Sequence, residues 1–147
     1  MRKANYDKFP STKLTGMLVQ GWDSIISMLK KKMDARKVLA VDLYTGVYEE
    51  EVLDAFSKEF SGRVMNVRDL MKPEKEIQTL TERFMTEDVL FGYVTNLKLE
   101  DYLDADKVAA ARKQISEAKE TIVIIGTGAA VVAPQDAMVV YADMARL

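Results

Sequence analysis

Apolar residues along the chain fall into two alternating rhythms, one helical and one extended. Leu18, Trp22, Ile25, Ile26, Leu29 and Met33 recur at spacings of three and four, the stripe of an amphipathic helix, and Lys30, Lys31 and Lys32 crowd its last turn where cations favour the dipole. Gly21 inside that pattern costs about 1 kcal/mol relative to alanine, so either the helix packs closely there or it starts later. Val38 to Leu43 is apolar on both faces except for Asp42, which predicts a strand covered on both sides, and Tyr44-Thr-Gly-Val47 is the turn at its carboxyl end. Tyr48, Val52, Ala55, Phe56 and Phe60 form the buried stripe of a second helix that ends near Ser61-Gly62. Arg63 to Val67 follows as a second strand, with Asp69 just beyond it.

The second half repeats the alternation. Pro73 opens a third helix with Ile77, Leu80 and Phe84 facing inward, and Phe91 to Leu97 reads as a short strand or an extended connection. Leu99, Tyr102 and Leu103 make a helical turn. Asp104 or Asp106 then caps a helix whose narrow stripe is Val108, Ala111, Ile115 and Ala118. Thr121 to Ile125 is the clearest buried strand, bounded by Gly126-Thr-Gly128, and Ala137 to Ala142 is another, ending in Asp143. Strands separated by crossovers of a dozen or more residues predict an α/β fold of three layers, a mostly parallel sheet with helices on both faces. Residues 1–13 are read as a polar, extended arm, lying on the surface or disordered, and 14–147 as one domain.

Composition removes several chemistries. The chain has no histidine and no cysteine, which excludes serine-histidine and cysteine-histidine nucleophiles, histidine-bearing zinc sites and disulfides. Lys and Arg total 21 against 23 Asp and Glu, a net charge of -2 that implies no basic face for nucleic acid. No apolar run reaches the length of a membrane span and the first ten residues lack a signal-peptide core, so a cytoplasmic protein is expected, with no membrane partner.

Ligands of open parallel sheets sit at the carboxyl ends of the strands, which makes Asp42, Tyr44, Thr45, Gly46, Asp69, Gly126, Thr127, Gly128 and Asp143 the candidate ligand-binding residues. Asp42, Asp69 and Asp143 are the one carboxylate cluster that could converge there, on magnesium or a sugar hydroxyl. The other reading has Asp42 binding backbone amides while Asp69 and Asp143 are solvated. The Tyr44 turn lacks the Gly-Lys-Ser/Thr ending of a phosphate loop, and Glu49, Glu50 and Glu51 suit a helix start but repel a phosphate aimed at it. Gly126-Thr-Gly128 begins like a dinucleotide fingerprint, yet Val131 stands at the sixth position and Pro134 stops any helix. No catalytic residue is assigned.

The order of elements resembles the uridine kinase and pantothenate kinase type of P-loop fold. Val38 to Val47 stands at the first strand and phosphate loop, Arg63 to Asp69 at the strand ending in a substrate-binding aspartate, and Thr121 to Gly128 at a later strand followed by glycine. The lysine and hydroxyl neighbour of the phosphate loop are missing, so the resemblance implies a degenerate kinase frame without kinase activity. A closer resemblance covers nearly the whole chain. Lys37 to Val47, Thr121 to Ala130 and Val140 to Arg146 look like the kinase-like N-terminal region that precedes a cupin in bacterial class I mannose-6-phosphate isomerase-like proteins, particularly those of the Bacteroidetes.

That resemblance implies an accessory domain. The aldose-ketose isomerisation of the family belongs to a zinc site of histidines and carboxylates in the cupin, so no cofactor is expected in this chain and zinc only in a downstream catalytic domain, its partner in the same polypeptide. The end of the chain at Ala145-Arg-Leu147, just past a predicted strand, is read as an excised boundary. Two other readings stay open: a binding module for a sugar phosphate or nucleotide, and a structural domain that self-associates as a homo-oligomer through an apolar patch.

Overall fold

A computed structural model describes residues 11, 13, 15–33, 35–88 and 90–144. The arm expected over 1–13, apart from Ser11 and Lys13, and the terminal Ala145-Arg-Leu147 lie outside the described residues.

Helix α1 runs Trp22–Met33 and buries Ile26, Leu29 and Met33. It starts later than its apolar stripe suggests. Gly21 adopts φ 86, a conformation outside the helix, and its carbonyl accepts the first helical bond from the Ile25 amide at 3.0 Å. Leu18 therefore precedes the helix and is exposed. Trp22 is half-buried at the helix start, edge-on to Phe56 at 6.3 Å, with its indole N–H donating to Glu51 Oε1 at 3.0 Å.

Strand β1 is Val38–Leu43, buried at every position but Asp42, which is half-buried. Helix α2, Glu49–Glu59, buries Val52 and Phe56, and Phe60 is buried just beyond it. Tyr48 does not join that stripe. It occupies the position before the helix, with non-helical backbone angles, so the helical spacing has not yet begun and its ring is 76% exposed.

Strand β2, Arg63–Asn66, is one residue shorter than expected, because Val67–Leu70 closes into a 3-10 turn. Asn66 starts that turn by accepting the Arg68 amide on its side chain at 2.8 Å. Helix α3, Glu74–Glu82, follows Pro73; Ile77, Leu80 and Phe84 are only half-buried, and nothing in this helix is fully covered.

Phe91 to Leu97 is a connection, not a strand, exposed up to Asn96 and half-buried at Leu97. Asp88 Oδ1 accepts the amides of Leu90 and Phe91, which turns the chain before it can align with the sheet. A second 3-10 turn, Leu99–Tyr102, leads to helix α4, Ala105–Glu117, which buries Val108, Ala111 and Ile115. Of the two candidate caps Asp104 is the one used: its Oδ1 accepts the amides of Asp106 and Lys107 at 3.0 and 3.1 Å. Asp104→Ala is expected to cost about 1 kcal/mol in urea unfolding, whereas Asp106→Ala should leave the midpoint nearly unchanged.

Strand β3, Ile122–Gly126, is buried throughout; the single-turn helix α5, Ala129–Val132, and strand β4, Met138–Ala142, complete the described chain. The sheet has the order β2-β3-β1-β4 with all pairs parallel. Strand residues alternate between its faces. Leu39, Val41, Leu43, Val123 and Ile125 pack under α1 and α2, while Val38, Ala40, Ile122 and Ile124 pack under α4 and α5. The α/β, three-layer expectation therefore holds for the sheet and its two helical covers. Among the described residues no helix is long and apolar enough to cross a membrane.

Candidate functional site

The site is defined by where the two central strands send the chain. From the carboxyl end of β1 the chain turns to α2 on one face, and from that of β3 it turns to α5 on the other. Since β1 and β3 are neighbours, the gap between their turns is a topological switch point, where open α/β sheets leave a crevice.

Asp42 stands in that gap, opposite Gly126 on one side and Tyr141 on the other. Its Oδ1 accepts the Gly128 amide at 3.2 Å and its Oδ2 the Ala130 amide at 2.9 Å. Thr127 donates its hydroxyl to the Leu43 carbonyl at 3.0 Å, and the Tyr44 amide donates to the Ala142 carbonyl at 2.9 Å. The turns after β1 and β3 are thus tied to each other, with Asp42 accepting twice from the turn after β3, and the first turn is also tied to the end of β4. Of the two roles weighed for Asp42, it fills that of amide binder, although the amides belong to the turn after β3.

The glycines let the turns approach this closely. Gly126 takes φ 134 and Gly128 φ 91, both in the region that favours glycine, and a Cβ on Gly126 would lie 2.9 Å from Val67 Cβ. Thr45 and Gly46 are exposed at the tip of the first turn and, with Tyr44, line a cleft of about 390 Å³. A second cleft of about 320 Å³ runs from Gly126 past Val67 to Leu99 and Tyr102. Glu49, Arg68 and Thr127 belong to the walls of both.

Asp69 and Asp143 behave differently from Asp42. The 3-10 turn directs Val67 and Leu70 inward and leaves Asp69 exposed, in the wall of neither cleft. Asp143 is exposed past β4 and accepts the Met144 amide at 2.8 Å. It still bears on the same corner as Asp42: the Tyr141 hydroxyl is held above the ordinary phenol value by desolvation first, then by Asp143, Tyr44 and Asp42. Asp42 and Asp143 thus share a neighbourhood that Asp69 does not enter. Among the described residues no group of three or more acidic side chains could hold a metal ion.

Glu49 and Arg68, which wall both clefts, were not among the candidates. Glu49 pairs with Arg68 at 3.1 Å through Oε2, while its Oε1 is buried without a hydrogen-bond partner among the described residues. Glu49 was legible only as a helix-start carboxylate. Arg68 carried a usable signal, a cation directly after a predicted parallel strand.

This architecture is that of an open, parallel α/β protein whose switch point is bridged by its own carboxylate. The chain belongs to the family described as a domain of unknown function, DUF8485, whose model matches residues 21–147. No curated protein and no solved structure matches it.

Proposed function

We propose that this chain is a non-catalytic accessory domain of a mannose-6-phosphate isomerase-like protein, built on a degenerate kinase-like frame. The observation that carries this reading is the Asp42 carboxylate on the amides of Gly128 and Ala130. It fixes a negative charge between the two crossover turns, and Glu50 in the wall of the first cleft adds another at the start of α2. Both disfavour the triphosphate that a phosphate-transfer enzyme would hold at this crevice.

The stretches that carry the resemblance, Lys37 to Val47, Thr121 to Ala130 and Val140 to Arg146, cover β1, β3 and the last three residues of β4. Isomerisation in those proteins uses zinc-bound histidine, and this chain has no histidine to supply. The zinc site does not fit the residues present, and on this reading a downstream catalytic domain would supply it.

The test is an assay of the purified chain, supplied with zinc, for interconversion of mannose 6-phosphate and fructose 6-phosphate. No turnover above the zinc-only blank is expected. Zinc-dependent turnover that follows the protein concentration would overturn the reading.

A second reading, a binding module for a sugar phosphate, is favoured by the Glu49–Arg68 pair in the shared wall of the two clefts. Arg68 offers a largely exposed guanidinium to a phosphate, and the unpartnered Glu49 oxygen lacks a donor such as a sugar hydroxyl. Mannose 6-phosphate at one hundred times its dissociation constant would stabilise the chain by about 2.7 kcal/mol. A thermal shift retained in Arg68→Ala, or absent from the parent, counts against this module.

A further inference from the structure

A further cavity opens at the opposite end of the sheet. Its volume is about 670 Å³, within the roughly 300–1,000 Å³ typical of small-ligand pockets. The floor is apolar: Val38 and Ile122, the first residues of the two central strands, with Ile115 of α4 and Val132 of α5. The rim is cationic, from Arg36 and Lys37 before β1 and Arg112 on α4, against Glu120 and Asp136.

Arg112 is held in place by neutral acceptors. It donates to the Val131 carbonyl at 2.7 Å and the Val132 carbonyl at 3.4 Å. These bonds fix the guanidinium without cancelling its charge, and a guanidinium has five N–H donors, so others remain for a ligand. The ion pairs among the described residues, Lys30 with Glu59 and Arg68 with Glu49, use none of the rim cations. An apolar floor beneath unpaired cations matches one ligand chemistry.

We propose that this cavity binds a small amphipathic anion, with an apolar body against the ends of β1 and β3 and a carboxylate, sulfonate or phosphate group against Arg36, Lys37 and Arg112. The site is separate from the clefts at the carboxyl ends and does not depend on the accessory-domain reading. The apolar floor supplies most of the affinity. The exposed rim supplies selectivity for negative charge that weakens as salt rises.

The test titrates the chain with 1-anilinonaphthalene-8-sulfonate and with the uncharged N-phenyl-1-naphthylamine, following fluorescence under conditions where urea unfolding is cooperative. Saturable binding of one equivalent of the sulfonate is expected, weakened by salt and at least about tenfold tighter than the neutral compound. Ser116→Trp, on the exposed face of α4 beside the cavity, fills the space and should weaken binding about tenfold or more. Arg36→Glu with Lys37→Glu leaves the apolar floor alone and should weaken the sulfonate while sparing the neutral compound. Thr45→Trp, at the other end of the sheet, should change neither. The proposal is overturned if the native chain fails to bind the sulfonate, if the neutral compound binds as tightly, or if the rim double variant binds like the parent.

Discussion

Gly126→Ala should lose about 3 kcal/mol of stability, a fall in melting temperature of roughly 10 °C for a chain of this size. Two costs combine. The backbone at φ 134 is strained for any side chain, and the new methyl would meet Val67 Cβ at 2.9 Å, where Val67 is itself packed in the core. Relief would require the β3 end or the 3-10 turn to move, and both carry walls of the second cleft. Differential scanning calorimetry of the variant measures the loss. A melting temperature within a degree or two of the parent would mean that the turn after β3 is not the tight packing point described here.

Asp42→Ala is expected to destabilise by about 2 kcal/mol, since it removes the acceptor from two charge-assisted backbone bonds. Partial exposure moderates the loss, because water can reach the freed amides. Asp42→Asn keeps one strong acceptor and should lose roughly half as much. Hydrogen exchange reads the same contact locally: the amides of Gly128 and Ala130 should exchange faster in Asp42→Ala, while those inside β2 keep their protection. Unchanged exchange at both amides would remove Asp42 from its bridging role.

The strands were the most legible part of the chain. Val38 to Leu43 and the strand beginning near Thr121 are runs of β-branched and aliphatic residues bounded by turn chemistry, and burial on both faces leaves such runs few alternatives. Helix starts were harder. The stripe from Leu18 continued through Gly21, and only its positive φ shows that the helix begins after it. Tyr48 was misplaced by the same kind of error, a periodic spacing carried one residue past the helix boundary. Phe91 to Leu97 had strand-like composition, but an edge to pair with is a tertiary property that composition does not encode.

The candidate site was legible in outline because the sheet rule depends only on strand direction and crossovers. That rule placed Asp42, Tyr44, Thr45, Gly46, Gly126, Thr127 and Gly128 around neighbouring turns. Asp42 on backbone amides and Asp69 in solvent was one of the two readings, but strand direction could not say that the amides would be those of Gly128 and Ala130, nor that the 3-10 turn would place Arg68 beside Glu49. Those outcomes depend on side-chain reach between elements far apart in sequence.

If the Asp42 carboxylate closes the crevice at this switch point, nucleotide should not bind there. Isothermal titration of the purified chain with magnesium ATP tests it most directly. No binding heat beyond dilution is expected, even at millimolar nucleotide. A saturable one-to-one isotherm that disappears in Thr45→Trp would place ATP in the crevice beside the first turn and contradict the claim.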